Sequence, residues 1–224
     1  NDTLRSTQGV ENVAVGSFAL DLNTTASNNT AIGFNGLNAC TTGSGNTAIG
    51  SNAGKSVTTA VNLVAAGSNA CDAVTTGVSN TGIGNGALST ITTHYDNVAV
   101  GTSAMGGATA NQCVAVGHSA LNLSTGANNT GLGHRALAVN TSGTENTAVG
   151  AFALDANTTA NYITAIGYNC LSNNTTGSNN TGVGRSALLA NTTGNNNTAV
   201  GFNALILSTG SSNTGLGTST LQSN

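Results

Sequence analysis

Two histidines, His118 and His134, stand 16 residues apart, each directly after a glycine in nearly the same phrase, "VAVGHSAL" and "TGLGHRAL". Imidazole is the side chain best suited to hold a transition metal or move a proton near neutral pH. The pair is a weak candidate for a metal site, one that three-fold assembly would strengthen by bringing more imidazoles together. The carboxylates Asp2, Glu11, Asp21, Asp72, Asp96, Glu145 and Asp155 are scattered along the chain. Asp21, Asp72 and Asp155 share one place, five after a glycine, yet lie three or more repeats apart. At strand spacing that is over ~14 Å, too far for a carboxylate pair that cleaves glycosides. Calcium-binding roll repeats need an aspartate in nearly every turn, and this chain lacks them. No catalytic set, cofactor or enzymatic activity is expected.

The four cysteines, Cys40, Cys71, Cys113 and Cys170, occupy four different places in repeats two or more apart. A disulfide needs Cα atoms within ~7 Å, and two stacked coils already separate them by about 9.6 Å. They read as small buried apolar residues. Twelve N-x-S/T acceptor sequences occur, a slight excess over chance in a chain so rich in Asn, Ser and Thr. Asn23, Asn140, Asn157, Asn174 and Asn191 are the glycosylation candidates, because a corner just before a constant Thr could project a glycan.

The composition bounds what can position these groups. Charged residues are 5% of 224, with no Pro, no Trp and aromatics at 3%, against roughly 25% charged residues in a typical domain. Such a chain cannot build a wide globular core. No basic cluster suits nucleic acid, and no apolar run approaches the ~20 residues of a membrane span.

One phrase recurs through the chain. Its glycine falls at Gly16, Gly33, Gly50, Gly67, Gly84, Gly101, Gly117, Gly133, Gly150, Gly167, Gly184, Gly201 and Gly217, a spacing of 17 residues with three intervals of 16. Places are numbered below from this glycine. Place −4 is usually Asn, −2 always Ala or Gly, and −1 aliphatic except at Ala66. Place +3 is usually Ala, +4 usually Leu, and +8 Thr in every complete repeat. So short a period suits a β-solenoid coil. The expected fold is all-β: a parallel β-solenoid, or β-roll, of about 13 coils that fills residues 1–224 as a single array. The thin core, Thr7 already in register, and a chain that stops in mid-coil after Leu221 suggest a piece of a longer fibre.

In "N-T-A-V-G" the alternation splits the side chains between two faces. We expect the aliphatics to point inward. Val149, Val200, Leu154 and Leu205 would then form the core ladder, beside a hydrogen-bonded ladder that includes Asn146 and Asn197. The opposite face carries Ala148, Ala165, Gly182, Ala199 and Gly215. No residue larger than Ala stands at that place, which requires close packing on another chain or a tight fold within the coil. The first is preferred, making this the association face.

The words "NTAIG" (Asn46–Gly50), "NTAVGAFAL" (Asn146–Leu154) and "NTAVGFNAL" (Asn197–Leu205) resemble the head repeats of trimeric autotransporter adhesins of the YadA type. They are also similar to repeats of tail-fibre-like and large-virus surface proteins. The resemblance covers residues 10–221. It implies a left-handed β-roll, three chains around one axis, and a surface role in attachment.

The expected function is a structural and adhesive segment of an extracellular fibre: the shaft or head of a surface adhesin, a self-assembling filament, or a virion fibre. It would sit at a cell or virion surface and associate with itself, as a homotrimer or another lateral or end-to-end oligomer. A host receptor or glycan would be its other partner. The alternative is an ice-binding solenoid, since stacked Thr ladders could match a lattice, although the strand pairs Thr with an aliphatic. A glycan-binding or glycan-cleaving β-helix stands last, for want of a clustered acid and base.

Overall fold

The computed structural model describes residues 8–221; Asp2 and Thr7 lie outside them. The chain is an all-β parallel solenoid with a repeat of about 17 residues and no helix among the described residues. Thirteen three-residue strands follow one another: β1 (Val13–Val15), β2 (Thr30–Ile32), β3 (Thr47–Ile49), β4 (Val64–Ala66), β5 (Thr81–Ile83), β6 (Val98–Val100), β7 (Val114–Val116), β8 (Thr130–Leu132), β9 (Thr147–Val149), β10 (Thr164–Ile166), β11 (Thr181–Val183), β12 (Thr198–Val200) and β13 (Thr214–Leu216). They fall into two compact units, Asn1–Gln112 with β1–β6 and Cys113–Asn224 with β7–β13. Within each unit neighbouring strands pair in parallel, like on like: Thr147 with Thr164, Ala148 with Ala165, Val149 with Ile166.

A coil this narrow must turn sharply, and the backbone does so through left-handed residues. Places −5, +2 and +4 all have positive φ. In one coil these are Glu145 at 57°, Phe152 at 57° and Leu154 at 55°. Such conformations cost about 1–2 kcal/mol each outside glycine. Bonds between neighbouring coils offset this: Phe152 N–H donates to His134 O at 2.9 Å, and Leu154 N–H to Cys170 O at 3.0 Å. The phrase glycine is obligatory for a stronger reason. Gly150 has φ 131°, and a Cβ there would stand 2.6 Å from the carbonyl oxygen of Gly167.

The constant Thr at +8 is a staple between coils. Thr158 donates both its N–H (3.0 Å) and its hydroxyl (3.1 Å) to Thr175 O. The Asn at −4 is a second staple, wholly inside. Asn146 Oδ1 accepts the N–H of Ile163, and its Nδ2 donates to Ala160 O at 2.8 Å. Asn197 Oδ1 accepts the N–H of Asn213, and its Nδ2 donates to Gly210 O.

The strand phase corrects the expectation. Leu154 and Leu205 are fully buried, but Val149 and Val200 are half-exposed on the outer face of the sheet. It is Ala148, Ala165 and Ala199 that have no exposed surface, with Gly182 and Gly215 buried beside them in register. The cause is volume. The +4 Leu, turned inward by its positive φ, fills the space behind the strand. A Cβ on Gly182 would lie 3.2 Å from Leu171 Cδ1 and 2.6 Å from Cys170 Sγ, and one on Gly215 2.9 Å from Leu205 Cγ. Only a methyl group or less fits there. The tight fold within the coil accounts for the restriction, and the Ala/Gly face is not an association face.

Candidate functional site

Alternation fixes what the inverted phase exposes. With Asn at −4 and Ala at −2 inside, places −3 and −1 both project outward. They carry Thr or Val, and then Val, Ile, Leu or Ala, in all thirteen strands. Ile49 is 45% exposed, Leu132 44% and Ile166 39%. None of these 26 places holds a charge, an amide or a glycine. The flanks differ: place −5 holds Glu11, Asp96, Glu145 and Tyr162 among others, and place +1 holds His118, Tyr168, Arg185 and Phe202. Thirteen coils sample each position thirteen times, so variability can be read within this one chain. Solvated flanks vary; the outward strand face does not. A uniform Thr/aliphatic face between variable flanks is the form of an interaction surface.

Beside this face in the second unit runs a strip of rings. His118 stacks on His134 at 5.3 Å between centroids, His134 meets Phe152 edge-on at 5.0 Å, and Phe152 meets Tyr168 at 6.1 Å. The Arg185 guanidinium lies over Tyr168 and Phe202, 5.9 and 5.6 Å from their centroids. The sequence places the two histidines together correctly, but their rings are nearly parallel, 13° apart. Lone pairs lie in the ring planes, so stacked imidazoles do not converge on one ion. Among the described residues no three His, Cys, Asp or Glu side chains gather as metal ligands.

Two of the three carboxylates at +5 are taken up by surface ion pairs, Asp72 with Lys55 at 3.3 Å and Asp155 with Arg135 at 3.4 Å. Partly exposed pairs of this kind contribute about 0–1 kcal/mol. All four cysteines are buried free thiols. Burial pushes Cys71 and Cys170 up to about 12 and Cys40 to about 11, so none is a ready nucleophile.

The glycosylation candidates are also corrected. Asn140, Asn157, Asn174 and Asn191 have no exposed surface, and Asn23 has 3%. Each turns its amide inward and donates to the carbonyl three residues on: Asn23 to Ala26, Asn140 to Gly143, Asn157 to Ala160, Asn174 to Gly177 and Asn191 to Gly194. The corner was located correctly, but these five amides point into the coil.

No helix is long and apolar enough to cross a membrane among the described residues. The chain matches no protein-family model, no curated protein and no solved structure.

Proposed function

We propose that the chain is a structural and adhesive segment of an extracellular fibre, built to associate with further copies of itself through the outward Thr/aliphatic face of its sheet. The observation that carries this reading is the uniformity of that face beside the freedom of its flanks. Leaving an aliphatic ladder and the methyl groups of a Thr/Val ladder in water forgoes roughly 25 cal/mol for every Å² of apolar surface that contact with a copy would cover. The resemblance to trimeric adhesin heads and tail-fibre repeats supports a three-fold assembly at a cell or virion surface, with a receptor or glycan as its target. The reading assigns the chain no reaction. Sedimentation velocity and negative-stain microscopy test it: an elongated homo-oligomer is expected, and a persistent monomer at micromolar concentration contradicts it.

One observation favours an ice-binding reading in second place. Thr and aliphatic ladders share one outward face, so hydroxyls and methyls repeat together at strand pitch, about 4.8 Å. Thermal hysteresis of the purified chain decides this. None is expected if the face is occupied by another copy.

A further inference from the structure

Nine of the twelve acceptor sequences fall in two structural classes. In the N-T-T and N-T-S corners the Asn is interior, as described above. In the N-N-T sequences at Asn28, Asn128, Asn179 and Asn196 the order is displaced, with the first Asn at −5 and the Thr at −3. The four first residues are exposed and left-handed, with φ of 57–61°. The middle residues, Asn29, Asn129, Asn180 and Asn197, are the buried staples. The Thr two residues on, Thr30, Thr130, Thr181 and Thr198, projects from the outer face of its strand. Amide and hydroxyl therefore lie outward on neighbouring places with the intervening side chain turned away.

We propose that Asn28, Asn128, Asn179 and Asn196 are N-glycan acceptor sites that the fold admits, and that the coil rejects the same modification at Asn23, Asn140, Asn157, Asn174 and Asn191. The donor is a lipid-pyrophosphate-linked oligosaccharide. The amide Nδ2 bonds to the anomeric carbon and loses a proton, while the bond from that carbon to the pyrophosphate oxygen breaks and the lipid pyrophosphate leaves. Transfer to a nascent chain precedes folding, so the fold acts as a filter. A glycan on Asn157 would have to occupy the space where Nδ2 meets Ala160 O at 3.2 Å and Asn140 Oδ1 at 2.6 Å. A glycan on Asn179 points into solvent. Asn179 and Asn196 belong to successive coils, about 4.8 Å apart, and compete for room.

The test is secretion of the full chain from a eukaryotic host, with separation of the folded, protease-resistant fraction and site-by-site occupancy by mass spectrometry after endoglycosidase release. A second variant keeps the core amides and removes their acceptor sequences through exposed residues only: Thr25→Val, Ser142→Val, Thr159→Val, Thr176→Val and Thr193→Val together. The expected result is occupancy at Asn28 and Asn128, single occupancy of the Asn179/Asn196 pair, and none at the five core sites in folded protein. The five-fold variant should give several times more folded secreted chain. Folded protein without glycan at the four outward sites, folded protein glycosylated at Asn157, or no gain in yield from the variant would each overturn the proposal.

Discussion

The two units share one backbone and fill two of its corners in opposite ways. At the inner corner, place +7, the first unit stacks Cys40, Val57, Val74, Ile91 and Ala108, following Asn23 in its opening coil, and the second stacks Ser124, Asn140, Asn157, Asn174, Asn191 and Ser208, all nearly or fully buried. At the outer corner the first unit runs an amide ladder, Asn35 to Asn52 to Asn69, at 3.1 Å per step. The second runs its strip of rings there, where the first has the single pair Phe18 and Phe34, 5.9 Å between centroids. Amides outside and apolar side chains inside predominate in the first unit, amides inside and rings outside in the second. The coil does not prescribe polarity at a corner; it requires that neighbours match. A buried amide is tolerated only where the amide of the adjacent coil or a carbonyl receives it, as Asn157 Nδ2 meets Asn140 Oδ1.

The largest effects should be the same in both units, because they strike the shared backbone. Gly67→Ala and Gly150→Ala each force a Cβ to within 2.6 Å of a carbonyl oxygen at a φ above 130°. Each should cost several kcal/mol in urea unfolding. A large loss for one and none for the other would deny that the units share a backbone constraint.

Exchanging the inner corners comes next. Val74→Asn places an amide between Val57 and Ile91, and Asn157→Val leaves Asn140 Oδ1 without its donor. Each should cost about 1–3 kcal/mol. Adding Val57→Asn and Ile91→Asn to the first should recover part of that loss, since the ladder is then continuous; a purely additive triple variant would break the comparison.

The outer corners should matter least to stability. Phe152→Ser and Asn52→Ser should each change unfolding by less than about 1.5 kcal/mol. The thiols give a further contrast with solvent-facing groups. Because burial raises the pKa of Cys71 and Cys170 above the unfolded value, the folded state resists ionisation, and stability should hold below pH 9 and decline above it. At pH 8 an alkylating agent should leave all four thiols unmodified until denaturant is added.

Much of this fold could be read from the sequence because every coil repeats the same constraints. Period, strand position, the inward Leu and the corner at N-T-T-G all follow from residues recurring at fixed places. The strand phase did not, and the reason is specific. Hydrophobicity argues for Val149 inside and Ala148 outside, whereas the interior behind the strand is already filled by Leu154 and its neighbours. The better signal was size: no side chain larger than a methyl at −2 in thirteen coils. Asn at −4 shares that face, so counting it as an interior amide rather than a surface residue would have fixed the phase. The left-handed Leu was not readable, since leucine rarely takes positive φ. The proposed association surface stayed hidden behind the same error, because the face expected to be core is the one exposed.

The central claim is that the outward Thr/aliphatic face joins copies of the chain. It is tested most directly by the sedimentation mass of the wild type beside a variant carrying Val149→Asp and Ile166→Asp on adjacent strands. The account predicts a wild-type mass that is a multiple of 21.7 kDa and a variant that falls to the single-chain mass with its β circular dichroism intact. A monomeric wild type, or a variant as large as the wild type, would contradict the association. A variant that unfolds would return these aliphatics to the core and contradict the strand phase itself.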